Sequence, residues 1–306
     1  MQAPFIVFLM GPTACGKTNI AIELAEHLNA EIISVDSALV YQGMNIGTAK
    51  PSPALLAQIP HHLIDICDPA QPYSVADFCT DAQKAIADIQ SRGKLPLLVG
   101  GTMMYFNALK QPLSQLPSSD PKVRVRIAKQ AAEEGWPLMH QQLAKLDPDS
   151  ARVIHAHDAQ RIARALEVHA LTGLPMSLQL QQEKQSAYRI CPIAIMPNNR
   201  QILHTQINQR FDAMLAQGFM AEVEALYHRG DLSEDLPAIR SVGYRQAWRY
   251  LAGEGDFTLM RDHILAATRQ LAKRQVTWLR SWADLTWFVP FSSASILAYV
   301  QKRRQE

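Results

Sequence analysis

Apolar residues fall along this chain in two rhythms. The first is a set of short unbroken runs: Phe5–Met10 (FIVFLM), the stretch Glu31-Ile32-Ile33-Ser34-Val35-Asp36-Ser37, Leu95-Pro96-Leu97-Leu98-Val99 and residues 188–196 (YRICPIAIM). Runs this short, with no polar alternation, predict strands buried on both faces, as in a parallel sheet. Residues 285–289 predict a last strand of the same kind. The second rhythm has helical spacing and occupies residues 19–28, 75–89 (capped by Ser74), 201–216, 221–228, 242–251 and 259–282. Alternating strand and helix predicts an α/β fold built on a parallel sheet flanked by helices. Residues 48–51 and the Pro60-His61-His62 stretch are predicted as loop, and Lys302-Arg303-Arg304 as a frayed tail.

One region breaks the alternation. From Pro121 to Lys184 the pattern is helical throughout, interrupted only at Gly135-Trp136-Pro137, Asp147-Pro148 and Gly173-Leu174-Pro175. Asp120 before Pro121 is an N-cap followed by proline at the first helical position. A Pro/Ser-rich hinge precedes it at residues 111–119. The chain therefore divides into an α/β core of residues 1–117 and 186–306 and an all-helical insertion of residues 118–185.

The first strand runs into Gly11-Pro12-Thr13-Ala14-Cys15-Gly16-Lys17-Thr18, which matches G-x-x-x-x-G-K-[ST] between a strand and a helix. Glycines let successive backbone N–H groups turn inward on an anion, and the following helix adds its positive dipole end. Lys17 supplies a mobile charge for phosphate oxygens, and Thr18 a hydroxyl able to ligate Mg²⁺. The sheet is thus of the P-loop NTPase-like kind. Asp36 ends the next strand, on the edge where parallel sheets bind ligands, either as a general base or Mg²⁺-linked group or as a turn cap. The third long strand ends in Gly100-Gly101-Thr102, where an enzyme that splits a γ-phosphate usually carries an acid. Thr102 is a site hydroxyl or a turn residue. A small-molecule or nucleotide kinase using ATP, and a non-catalytic RNA-binding protein, both remain open on these residues alone.

Composition narrows the setting. No apolar run approaches the length of a membrane span. Cys15, Cys67, Cys79 and Cys191 are scattered without a C-x-x-C pair, which suggests neither disulfides nor zinc and predicts a reduced, cytoplasmic protein. Cys15 reads as a small filler, and His61 and His62 as structural. The net charge of +2 hides an asymmetry: residues 240–280 hold eight basic residues against Glu254, Asp256 and Asp262, interleaved with Tyr244, Trp248, Tyr250 and Trp278. Such interleaving fits a nucleic-acid footprint, although composition alone favours a solvated helix face over an aromatic core. Arg161 and Arg164 share a helix face and meet RNA phosphates or pair with Glu167.

In combination these motifs carry a resemblance. GPTACGKT, then Ser34-Val-Asp-Ser-Ala-Leu39, Tyr41-Gln-Gly-Met-Asn-Ile-Gly-Thr-Ala-Lys-Pro51, Gly-Gly-Thr102 and Ser241-Val-Gly-Tyr-Arg-Gln246 run in order over nearly the whole chain and closely resemble the bacterial tRNA dimethylallyltransferases. Cys15 stands where the family commonly has serine. The resemblance implies transfer of a dimethylallyl group from dimethylallyl diphosphate to N6 of adenosine 37, in tRNAs reading codons that begin with U. It assigns Asp36 as proton acceptor and Thr102 as a positioning hydroxyl. Lys17 and Arg210, with Thr18 and Mg²⁺, would neutralise the leaving diphosphate, which lies on Gly11, Pro12, Thr13, Ala14, Cys15, Gly16, Lys17 and Thr18. It implies tRNA contacts at Asp36, Ser37, Ala38, Leu39, Thr102 and Arg124, and at Gln160, Arg161, Ile162, Ala163 and Arg164. Further contacts follow at Ser241, Val242, Gly243, Tyr244, Arg245 and Gln246, and at Thr268, Arg269, Gln270, Leu271, Ala272, Lys273, Arg274 and Gln275. The expected partners are the tRNA anticodon stem-loop and the prenyl donor, with no membrane, the protein acting as a monomer.

Overall fold

The computed structural model describes residues 3–111, 116–180 and 186–306. The predicted hinge at 111–119 falls partly on residues 112–115, and the end of the predicted helical stretch on residues 181–185; these lie outside the described residues. Two compact units emerge, Met1–Lys110 with Ala187–Glu306, and Gln111–Ser186.

The first unit is built on a parallel sheet. In chain order its strands are β1 (Phe5–Met10), β2 (Ala30–Val35), β3 (His61–His62), β4 (Leu95–Gly100), β5 (Arg189–Ile195) and β6 (Thr286–Phe288), and they lie side by side as β3-β2-β4-β1-β5-β6. Every pairing is parallel, with Val7 opposite Leu97 on one side of β1 and opposite Cys191 on the other. Successive strand residues point to opposite faces. Val7 and Leu9 therefore enter one core, and Ile6, Phe8 and Met10 the other. Two buried faces explain why β1 is apolar at every position.

On the first face pack α1 (Lys17–Leu28), α10 (Arg200–Ala216), α11 (Phe219–Tyr227), α12 (Tyr244–Leu251) and α14 (Ser293–Gln305); on the second pack α3 (Val75–Ser91) and α4 (Met103–Lys110). The predicted cap of α3 is present as a full capping box between Ser74 and Asp77. The 24-residue helix α13 (Phe257–Arg280) belongs to both cores: Met260, Ile264 and Ala272 join the first, Leu279 the second. It thus bridges the two faces, with Gln275 between the two sets of contacts.

Two local expectations are corrected, and one helix is unpredicted. His61 and His62 form a two-residue strand on Ile32 and Ile33 and not a loop, because the buried Glu31 accepts from His62 Nε2 at 2.7 Å and draws that segment onto the sheet edge. Helix α2 (Pro53–Gln58), which the periodicity does not predict, starts from a Ser52 cap with proline at its first position. Residues 302–304 are not frayed: they continue α14, which is anchored by the fully buried Ile296 and Val300 in the core that α1 shares.

The second unit is all helical, with α5 (Pro121–Glu134), α6 (Trp136–Leu146), α7 (Pro148–Val153), α8 (Ala159–Thr172) and α9 (Met176–Leu180). Asp120 caps α5 through Lys122 N and Val123 N. Ile127, Met139, Leu143, Ile162 and Leu166 make its core. Two buried carboxylates staple it. Asp147 accepts from the backbone and hydroxyl of both Ser150 and Ser177, and Glu167 from Ser119, Asp120 N, Arg124 and Arg164.

Glu31 has the same character in the first unit. Burial acts to raise its pKa, but hydrogen bonds from Lys94, His62 and Arg92 outweigh it and hold the carboxyl at about 2, against 4.5 unperturbed. A depressed carboxyl stabilises the fold above its unfolded pKa and loses that contribution as pH falls toward the folded value. Urea unfolding at pH 7 and pH 2.5 should show Glu31 contributing about 3 kcal/mol at neutrality. That contribution should be largely gone at the lower pH, so Glu31→Gln should flatten this part of the pH profile.

Candidate active site

Three loops leave β1, β2 and β4 at the carboxyl edge of the sheet. The loop after β1 ends at Gly16, whose left-handed φ of 86° turns the chain into α1 with no side chain capping the first turn. The N–H groups of that turn are left for an anion. Lys17 folds over the loop, its Nζ donating to Pro12 O at 2.7 Å. Thr18 is exposed, and Cys15 is fully buried as a filler. Among the described residues no three His, Cys, Asp or Glu side chains cluster to hold a metal. A hydroxyl beside a phosphate-binding helix end fits Mg²⁺, which takes most of its oxygens from substrate and water.

Asp36 follows β2. Its Oδ1 accepts from Ala38 N at 2.8 Å and Leu39 N at 3.3 Å, so the carboxylate caps its own turn. The turn-cap reading of Asp36 is therefore observed, and the same residue lines the cavity described below. Thr102, after β4, accepts from Ser37 N at 3.1 Å through Oγ1, locking the β4 turn to the Asp36 turn.

Gln275 of α13 ties these loops together. Its Oε1 accepts from Thr13 N at 2.8 Å, and its Nε2 donates to Gly101 O at 2.9 Å. A Cβ on Gly101 would stand 2.3 Å from that Nε2, so only glycine admits the bridge undisturbed.

Over these loops opens a cavity of about 510 Å³. Of the predicted residues it brings together Thr13, Asp36, Ser37, Ala38, Thr102, Arg210, Ser241, Val242, Gly243, Tyr244, Thr268, Leu271, Arg274 and Gln275. Met103, Met104, Ile207, Phe211, Met214, Phe219 and Trp278 give it apolar walls. Arg210 enters from α10 with Nη2 donating to Thr48 O at 3.2 Å. Burial pushes its pKa down and the Asp36 charge opposes the shift. No carboxylate forms an ion pair with Arg210 among the described residues, so it stands as a partly desolvated cation.

The other predicted positions lie elsewhere. Gly11, Pro12, Ala14, Cys15, Gly16, Lys17 and Thr18 build the phosphate loop and the first turn of α1 without lining the cavity. Leu39, Arg245, Gln246, Gln270 and Ala272 flank it in sequence. Of the basic stripe on α13, Arg274 reaches the cavity, Arg269 donates to Asn208 at 3.0 Å, and Lys273 is exposed. Arg124 and residues 160–164 belong to the helical unit, where Arg164 pairs with Glu167 at 2.8 Å and Arg161 with Asp158 at 3.4 Å. Arg240, the first of the basic residues counted over 240–280 and the arginine flanking the 241–246 motif, also lines the cavity. Sequence reading missed Glu222, for which no motif exists.

Comparison with known proteins supplies the lineage. Residues 39–282 match the model of the IPP transferase family, and residues 4–66 that of isopentenyl transferases. A tRNA dimethylallyltransferase of Ralstonia nicotianae is 57% identical over 287 residues, covering 91% of this chain and 89% of that protein. Among solved structures, the tRNA isopentenylpyrophosphate transferase of Bacillus halodurans superposes with a TM-score of 0.73 at 36% identity, covering 98% of this chain and 97% of that one. A eukaryotic dimethylallyltransferase crystallised acting on tRNA superposes with a TM-score of 0.82 at 26% identity, covering 99% of this chain and 78% of that one. With the phosphate loop, the Gly-Gly-Thr strand end and the apolar cavity in one α/β unit, the chain belongs to the IPP transferase family, that of the tRNA dimethylallyltransferases.

Proposed function

We propose that the protein transfers a dimethylallyl group from dimethylallyl diphosphate to N6 of adenosine 37 in tRNAs reading codons that begin with U. The observation that carries this reading is the pairing of an ion-pair-free Arg210 with Asp36 and Thr102 in an apolar cavity beside the phosphate loop. A prenyl diphosphate has one apolar and one anionic end, and the cavity with its adjoining loop offers both surroundings.

The reaction forms a bond between N6 and C1 of the prenyl group, breaks the C1–O bond, and releases diphosphate with its electron pair. An exocyclic amine is a weak nucleophile until a base takes its proton, and Asp36 is the carboxylate in the cavity able to do so. Thr102, held to Ser37, orients the groups around that carboxylate. Charge growing on the leaving oxygens is met by Lys17, Arg210 and the N–H groups at the start of α1. Mg²⁺, held by Thr18 and the diphosphate, would add Lewis-acid neutralisation of that charge. The target base must leave its stack to enter the cavity, where Trp278, Arg240 and Arg274 offer stacking and phosphate contacts. Arg124 and residues 160–164 are the proposed grip of the helical unit on the anticodon stem-loop, although their arginines pair with Glu167 and Asp158 in the structure. The protein would act as a cytoplasmic monomer; among the described residues no helix is long and apolar enough to cross a membrane.

The decisive test supplies an anticodon stem-loop RNA with dimethylallyl diphosphate and Mg²⁺ and weighs the RNA by mass spectrometry. A gain of one C₅H₈ unit is expected. Asp36→Ala should abolish it while RNA affinity stays within about threefold, the base contributing to the transition state and little to binding. Undiminished turnover would remove Asp36 as the base. Replacing Lys273 and Arg274 with glutamine should lower the slope of log K against log salt by about 0.7–0.9 for each phosphate that is no longer neutralised. An unchanged slope would make these two residues an ordinary solvated helix face.

A further inference from the structure

Glu222 lies in the first turn of α11 and does not line the cavity, yet its carboxylate is saturated with donors. Oε2 accepts from Asn45 N at 2.8 Å and Ile46 N at 2.7 Å. Oε1 accepts from Gly47 N at 3.0 Å and from Tyr244 Oη at 2.6 Å. Three successive backbone N–H groups converging on one point form an anion-binding nest, here filled by a side chain of the same protein. Burial, and then the Glu222 charge, push the Tyr244 hydroxyl well above its ordinary pKa, so it stays a donor at every working pH.

The clamp sits against the cavity on two sides. Tyr244 packs edge-on to Phe219 with centroids 5.5 Å apart, and both rings line the cavity. Gly47 lies on the same two rings, where a Cβ would come within 2.5 Å of Phe219 and 2.6 Å of Tyr244. The residue after Gly47 is Thr48, whose carbonyl receives the Arg210 guanidinium. That carbonyl is the only hydrogen-bond partner of the Arg210 side chain among the described residues.

We propose that Glu222 is a positioning residue for diphosphate binding: by holding residues 45–47 it fixes the Thr48 carbonyl, and through that carbonyl the Arg210 guanidinium. The inference rests on the reading of Arg210 as a diphosphate ligand. It adds that the Tyr41–Pro51 motif serves the site by presenting one carbonyl to one arginine. Loss of the clamp leaves three converging N–H groups without their acceptor, and the loop must reorganise to satisfy them. Arg210 then keeps its charge and loses its aim.

A double-mutant cycle tests this on the full-length protein, with inorganic diphosphate and Mg²⁺ as the calorimetric probe and prenyl transfer to the stem-loop RNA as the second readout. Glu222→Gln keeps one acceptor oxygen and turns an NH₂ toward donors. It should weaken diphosphate binding and lower turnover by about tenfold, with RNA affinity nearly unchanged. In an Arg210→Ala background the same change should cost less than about twofold, because residues acting through one another are not additive. Should the glutamine variant fail to fold, Glu222→Asp, one methylene shorter with its charge kept, is read through the same cycle. Losses that multiply, or a Glu222 variant that binds diphosphate as tightly as the unaltered protein, would overturn the proposal, as would an unaltered protein that does not bind diphosphate. An unaltered protein that binds diphosphate but fails to prenylate RNA would sink the transfer reading alone, since the binding cycle stands without it.

Discussion

A single amide holds the chemistry of this fold in register. Gln275 accepts from the phosphate loop at Thr13 and donates to the strand-end carbonyl of Gly101. The two ends of its side chain join loops that follow neighbouring strands. Both partners are backbone groups at a sheet edge, where strands end and their polar atoms lose the ladder. Left buried and unpaired, such groups cost more than an ordinary hydrogen bond returns. The bridge works only because β4 runs out into glycine, so the feature that departs from γ-phosphate enzymes is also the one that lets α13 dock. Absence of an acid there reflects what must pack against the strand as well as what the strand must do.

The same logic runs through the carboxylates that are saturated with donors. Glu31, Asp147, Glu167 and Glu222 each gather three or four donors, at least some of them from segments distant in sequence, and none of the four lines the cavity. An ionised carboxylate is costly to bury alone and tolerable when saturated, so each becomes a fixed point about which loops are arranged. Asp36 differs in kind. Backbone donors hold one of its oxygens, while the other has no protein donor among the described residues. A carboxylate anchored on one side and open on the other is oriented without being spent.

The periodicity made the architecture legible. Unbroken apolar runs marked β1, β2, β4 and β5 because both sheet faces are covered, and β1 to α1 carried the phosphate loop in plain sight. The helical unit showed itself by lacking strand-like runs. What escaped reading depended on contacts between distant residues. The two-residue β3 has no pattern to detect and exists because Glu31 receives His62. Helix α14 offers two fully buried residues, Ile296 and Val300, in a polar sequence, too few to stand out before their partners on α1 are known. Glu222 looks like any glutamate on an amphipathic helix. The resemblance pointed to residues 41–51 without a reason for them; the structure shows residues 45–47 of that stretch held by a carboxylate more than 170 positions away.

The placement of positive charge completes the physical picture. Most ion-paired arginines lie at the surface, as Arg229 does between Asp68 and Asp231, where they contribute little. Arg210 is treated differently. It is drawn into an apolar cavity, its solvation reduced, and given a neutral carbonyl in place of a counter-ion. A desolvated guanidinium without a carboxylate costs folding energy, and on the proposed reading an incoming diphosphate, gathering charge as the C–O bond lengthens, offsets that cost. An Arg–carboxylate pair in the same place would have stabilised the empty protein and been broken by every turnover. A carbonyl aims the cation without neutralising it, and on the proposed reading this keeps the charge of Arg210 available for the charge that the reaction creates.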